Sequence, residues 1–222
     1  MSSELTKRIL TSIVLVAIVL NCLFISNYAW LVLLIIVSLI SWFEFFNLTI
    51  KIYKNIILKL ILSLLNFSVL FLFSYSAYKV RNEAGELIML FILLVCIFSD
   101  VGGYVVGKNV GGKKLTKISP NKTISGSIGS FLFSLFPIGI YVLLANTTNI
   151  DSFKFTMEKE VIVGCLIISL ISQLGDLLIS YFKRLAKVKD TGNILPGHGG
   201  ILDRIDGIIF TLIIIPFLDK II

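Results

Sequence analysis

The sequence has 222 residues, 57% of them hydrophobic and 15% charged, with a mean hydropathy of +0.99. A soluble domain is about a quarter charged, so this composition excludes a water-soluble globular protein and indicates an all-α, polytopic integral membrane protein forming a single membrane domain over 1–222. In such a chain the formal net charge of +7 reports orientation and attraction to anionic lipid, not nucleic-acid binding.

The first segment, MSSELTKRILTSIVLVAIVLNCLFI, places Lys7 and Arg8 before an apolar core and lacks a small-x-small cleavage site, so it reads as an uncleaved first span. A bilayer needs about 20 mostly apolar residues per helix. Seven stretches qualify, at roughly 9–26, 28–46, 56–78, 86–106, 124–145, 161–182 and 201–222. Backbone groups in hydrocarbon must be satisfied within the segment, which makes these spans helices. Cys22, Cys96 and Cys165 lie far apart in apolar runs and read as packed thiols. With the N-terminus inside, alternate loops put 15 of the 20 Lys and Arg residues on the cytoplasmic side, Lys117 among them, and leave Lys154 and Lys220 among those outside. This is the charge bias expected of an odd number of spans.

Four aspartates lie within or at the ends of spans: Asp100, Asp176, Asp203 and Asp206. Each is costly in hydrocarbon unless paired, hydrated or bound to a metal. At 1.5 Å per residue, Asp100 and Asp176 each lie about 9 Å from the inner ends of the fourth and sixth spans. Asp203 and Asp206 begin the seventh, and their spacing of three predicts one helix face. Carboxylates brought to one depth by three helices repel one another, and hard oxygen ligands suit Mg²⁺ or Mn²⁺; the alternative is solvated caps paired with Arg184, Arg204 and nearby lysines. Glu44, near the inner end of the second span, is at the same level as a supporting or structural acid.

The loop after the fourth span contains GKNVGGKK, Gly107 to Lys114, which has the spacing of a P-loop start. No strand precedes it, and Lys114 stands where a Ser or Thr would be needed, so it is not one. The following SPNKTISGS sets Ser119, Lys122 and Thr123 beside a helix start, as a phosphate cradle or as a simple N-cap. Between the last two spans runs SYFKRLAKVKDTGNILPGHGGILDRIDG, with the only histidine, His198, in a glycine turn. Lys187 there is accounted for by membrane orientation. Asp190, His198 and Arg204 are not. Cations that hold a polyphosphate, above carboxylates that hold a metal, suit phosphoryl or nucleotidyl transfer onto a lipid at the cytoplasmic boundary.

These residues resemble the phosphatidate cytidylyltransferases (CDP-diacylglycerol synthases). The resemblance is carried by Ser180, Lys183-Arg184, Lys189-Asp190, Gly192, Leu195-Pro196, His198-Gly199-Gly200 and Asp203-Arg204-x-Asp206. A second block comprises Asp100, Gly103-Tyr104, Gly107, Lys114-Leu115, Ser119-Pro120-x-Lys122-Thr123 and Gly126, and Gly175-Asp176 also matches. It covers residues 95–210, leaving 1–94 as helices of general character. The chain departs from the pattern at Ser125, where a glutamate is usual, and at Ser130, Thr191 and Gly207. The resemblance implies transfer of a cytidylyl group from CTP to phosphatidate with Mg²⁺ (or Mn²⁺), releasing pyrophosphate, in the inner (cytoplasmic) membrane, with the N-terminus and active site cytoplasmic; it also implies a homodimer. Under it Asp176, Asp203 and Asp206 hold metal, with Asp100 a further candidate. Lys122, Lys183, Arg184, Lys189, His198 and Arg204 contact phosphates, with Ser119, Thr123, Ser180, Gly199 and Gly200 at the substrates, and Asp190 orients the cations. The competing readings are a related lipid-alcohol kinase, which should lack much of this motif, and a cation or proton-coupled transporter, which should place its acids at mid-membrane.

Overall fold

The protein is described here by a computed structural model covering residues 3–116, 118–148 and 159–217. Lys117, Lys154, Lys220 and the end of the seventh predicted span lie outside the described residues. Among those described are eight α-helices: α1 (Ser3–Ile25), α2 (Asn27–Ile52), α3 (Ile56–Ala84), α4 (Glu86–Val110), α5 (Ile124–Phe133), α6 (Phe136–Thr148), α7 (Lys159–Leu185) and α8 (Leu202–Ile214). A 3-10 turn, Ile215–Phe217, follows α8. The described residues contain no strand, only two isolated bridges, Lys114 with Thr123 and Leu195 with Gly199.

Among the described residues six spans are long and apolar enough to cross a membrane, and they correspond to the first six predicted. The fifth, Ile124–Leu143, is broken into α5 and α6. Proline at 137 has no N–H for an i−4 carbonyl, which is tolerated only in a first turn, so a new helix starts at Phe136. The seventh differs more. The 13 residues of α8 rise about 20 Å, short of the roughly 30 Å hydrocarbon core.

Leu, Ile and Phe side chains cover the outside of the bundle, while Met89, Phe91, Ile168 and Leu212 are fully enclosed. Polar groups inside pair across helices, as in the hydrogen bond of 2.8 Å between Ser99 and Ser169. The α4–α5 contact is made by small residues. A Cβ on Gly103 would stand 2.6 Å from Ser130 Oγ, and one on Gly126 2.8 Å from the Gly103 carbonyl. Backbones approach this closely only where side chains are absent, and Ser130, a departure from the family pattern, packs directly against Gly103.

The two ends of the bundle are tied differently. At one end Arg81, 3% exposed, donates to the carbonyl of Leu23 at the end of α1 (2.8 Å) and to Asn27 at the start of α2, and pairs with Glu86 at the start of α4 (3.2 Å). At the other end the start of α1, the end of α2, the α4–α5 loop, the end of α7 and the start of α8 converge, and the functional groups lie there.

Candidate functional site

Two carboxylates build the loop between α7 and α8. Lys187 leaves α7 in a left-handed conformation (φ 54°), and Val188 N–H closes back onto the Lys183 carbonyl (3.0 Å). The chain then passes Glu44 of α2, 2% exposed. Glu44 accepts from the N–H groups of Ile201 (3.1 Å) and Leu202 (2.9 Å) and from the Thr191 hydroxyl (3.0 Å). It thus caps α8 from another helix, satisfying donors that a helix start leaves open. The glycines at 192 and 200 exist for this carboxylate: a Cβ on either would stand 2.5 Å from a Glu44 oxygen.

Asp203 is the second organiser. One oxygen takes Lys183 Nζ (2.7 Å); the other takes the Thr191 N–H (2.7 Å), the Thr191 hydroxyl (3.0 Å) and the Gly200 N–H (3.1 Å). The Thr191 hydroxyl lies 3.0 Å from oxygens of both Asp203 and Glu44 and has one proton for the two. The family departure at Thr191 is conservative, since it keeps a hydroxyl at this position.

The other three acids form a group. Asp176 acts electrostatically on both Asp100 and Asp206, and Asp100 acts on Asp206. Lys122 forms an ion pair with Asp176, which also accepts from the Ser180 hydroxyl (3.1 Å). Asp206 is buried and accepts only from the N–H of Gly207 (2.8 Å) among its hydrogen bonds. No three ligating side chains among the described residues form a ready-made metal cage. The oxygen ligands that Asp100, Asp176 and Asp206 offer are of the type that hard divalent cations take. Gly207 is explained by the contact with α7: a Cβ there would stand 2.9 Å from the Ser172 carbonyl.

Beside Asp203 opens a cavity of about 560 Å³ whose walls include Arg8, Lys189, Asp190, His198, Gly199 and Arg204. Gly199, at φ +87°, separates its wall from the carboxylates; a Cβ there would stand 3.0 Å from Asp190 Cβ and 3.2 Å from Asp203. Arg204 is fixed by two donations to the His198 carbonyl (2.7 and 3.3 Å). The His198 ring faces α1. Its Nδ1 lies 2.9 Å from Thr11 Oγ1 and its Nε2 3.2 Å from Ser12 Oγ. The single Thr11 proton goes to the Lys7 carbonyl at 2.7 Å. Thr11 therefore accepts from Nδ1–H, and Ser12 donates to Nε2. Desolvation, followed by the charges of Arg204 and Arg8, pushes the His198 pKa below its ordinary value, and a hydrogen bond to the Pro196 backbone opposes them. His198 thus holds the glycine turn against α1.

In the α4–α5 loop Thr123 is the N-cap of α5. Thr123 Oγ1 accepts from Gly126 N–H (3.0 Å). Ser125 bonds Thr123 (3.0 Å) and the Gly111 carbonyl, so the departure at 125 tightens this turn. Ser119 closes the loop through its carbonyl, which accepts from Lys122 N–H (3.0 Å). Arg184 donates to the Ile118 carbonyl (3.4 Å), joining this loop to α7.

The structure thus brings together Asp100, Asp176 and Asp206 with Lys122 and Ser180. It sets Lys183 and Asp203 beneath the loop, and Lys189, Asp190, Gly199 and Arg204 around the cavity. Gly200 lies against Glu44. Sequence reasoning gave Glu44 no specific task and took Arg8 for orientation charge, and it passed over Thr11 and Ser12. The spacing of Arg8, Thr11 and Ser12 on one helical face was the available signal.

Residues 51–221 match the model of the Cytidylyltransferase family. A phosphatidate cytidylyltransferase of Rickettsia conorii is 35% identical over 222 residues, 99% of this chain and 92% of the relative. That of Rickettsia bellii is 34% identical over 218 residues, 98% and 91%. That of Staphylococcus aureus is 47% identical over 137 residues, 61% of this chain; the match spans about half (49%) of that relative's length. On the extent of these matches, and with the motif residues gathered at one end of the bundle, this chain belongs to the cytidylyltransferase family.

Proposed function

We propose that the protein transfers the cytidylyl group of CTP to phosphatidate, giving CDP-diacylglycerol and pyrophosphate at the cytoplasmic face of the membrane. The observation that carries this reading is the cavity lined by Lys189, Asp190 and Arg204, separated by Gly199 from the carboxylate of Asp203, at the end of a membrane bundle. The names of the relatives supply the substrates, and none of those names supports the transporter or kinase alternatives.

A phosphatidate oxygen attacks the α-phosphorus of CTP, and the bond from that phosphorus to the bridging oxygen of pyrophosphate breaks, the leaving group keeping the electron pair. A phosphate monoester is already nucleophilic near neutral pH, so no strong general base is required. Lys189 and Arg204 hold phosphate oxygens and offset charge that grows in the transition state. Lys183 and Asp203 hold the loop that carries Lys189 against the start of α8, which carries Arg204. Asp176 and Asp206, with Asp100 beside them, would hold Mg²⁺, which supplies charge neutralisation at phosphate oxygens. Lys122 keeps Asp176 in place.

The test uses purified protein in detergent with phosphatidate and labelled CTP. Label is expected to enter the lipid phase with Mg²⁺, to be lost on chelation, and to return when Mg²⁺ is restored; ATP does not substitute. Absence of CTP-dependent lipid labelling by folded protein overturns the reading.

The positive-charge bias supports a cytoplasmic site. In a background without native cysteines, Lys113→Cys should be labelled by an impermeant maleimide only from the cytoplasmic side, and Glu83→Cys only from the opposite side. The reverse pattern would invert the topology.

A further inference from the structure

We infer that Arg8, on the first helix, is a substrate-binding residue that takes a phosphate oxygen in the cavity together with Lys189 and Arg204. The substrates named for its test rest on the transferase reading above; the anion-binding role rests on the geometry.

Arg8, Thr11 and Ser12 are spaced i, i+3, i+4, which places them on one face of α1. Thr11 and Ser12 bind the two ring nitrogens of His198 at 2.9 and 3.2 Å, and Thr11 Oγ1 also lies 3.2 Å from the Pro196 carbonyl. This latch fixes the rotation of α1 so that Arg8 meets the glycine turn. A Cβ on Gly197 would stand 2.9 Å from Arg8 Cγ, so only glycine admits the arginine stem. The adjacent Lys7 points about 100° away around the helix, and either residue would serve orientation equally. Only Arg8 is held at the cavity wall.

The charge balance there calls for an anion. Arg8, Lys189 and Arg204 face one acid, Asp190, and none of these cations forms an ion pair among the described residues. Cations gathered without carboxylate partners favour a polyanion, and arginine matches phosphate with two parallel donors. Arg8, Lys189 and Arg204 are the Lys and Arg side chains of this wall. Arg8 lies outside the segment that the family model matches, 51–221.

The phosphate comes from the triphosphate of CTP or from the headgroup of phosphatidate, and rate measurements distinguish them. Half-saturating CTP is measured at saturating phosphatidate, and half-saturating phosphatidate at saturating CTP, for wild type, Arg8→Ala and Arg8→Lys. A charged hydrogen bond of about 1.5–3 kcal/mol corresponds to roughly a 10–150-fold weakening. Arg8→Ala is expected to raise one of the two half-saturation values by at least about 10-fold, and Arg8→Lys to recover part of that loss. A rise for CTP assigns Arg8 to the triphosphate; a rise for phosphatidate assigns it to the lipid. If neither moves in folded Arg8→Ala, the inference is overturned. Should that variant not fold, Arg8→Gln, which keeps most of the length, is measured in the same way. Calorimetric binding of inorganic pyrophosphate with Mg²⁺ present separates this inference from the reaction. If wild type transfers no label, weaker pyrophosphate binding by Arg8→Ala upholds the anion site while the transferase reading fails, and equal binding overturns the site.

Discussion

Replacing Glu44 with alanine is expected to destabilise the protein by about 3–5 kcal/mol and to abolish transfer, although Glu44 touches neither the cavity nor the other acids. Its carboxylate satisfies three donors on two segments: the N–H groups of Ile201 and Leu202 and the hydroxyl of Thr191. Each buried donor left open costs about 1–3 kcal/mol, and partial entry of water offsets some of the sum. Glu44→Gln gives a finer result. Its amide keeps one acceptor but turns an NH₂ toward at least one existing donor, so a loss of about 1–3 kcal/mol is expected. Gel filtration after stepwise heating in detergent reads both variants as loss of monodisperse protein. Wild-type thermal resistance in Glu44→Ala would show that α8 is positioned without this cap.

Asp203→Asn is expected to lower transfer by at least about 100-fold and to lower stability as well, and the pairing of the two effects is informative. The variant strands the Lys183 ammonium, whose side chain is only 12% exposed, and a buried charge that loses its partner costs about 3–5 kcal/mol. Replacing both, as Lys183→Met with Asp203→Leu, should recover much of the thermal resistance and none of the transfer, because the loop's N–H groups still lack their acceptor. Asp206→Asn should behave oppositely. It removes one of three mutually repelling carboxylates, so thermal resistance should not fall while transfer is lost. If extra Mg²⁺ restores activity to Asp203→Asn, Asp203 is a metal ligand and not an organiser of the loop.

The contrast between these two acids marks the limit of reading along the chain. Asp203 and Asp206 were expected on one face because they are three residues apart, yet that spacing still leaves them about 60° apart around the helix. In α8 that angle is enough to turn Asp203 toward Lys183 and the loop, and Asp206 inward toward Asp176. Depth in the membrane follows from hydropathy and helical rise, both local quantities, so six spans and the level of the acids were legible. The break before Phe136 was signalled by Pro137 alone. The shortness of α8 was hidden because its apolar run continues past the helix. The spacing of Arg8, Thr11 and Ser12 marked a shared helix face, but their partners, like those of Glu44, lie more than 140 positions away, and no periodicity encodes those.

The latch between Thr11 and His198 joins positions separated by 187 in sequence. A membrane protein is made from its N-terminus onward, so α1 is delivered to the bilayer long before the glycine turn exists. Until α8 follows, Asp176 has no Asp206 beside it, Glu44 has no helix to cap, and Arg8 has no wall to join. A chain stalled after α7 would be a membrane-embedded bundle without a reaction chamber. The cavity wall is therefore completed only when the loop between α7 and α8 meets α1.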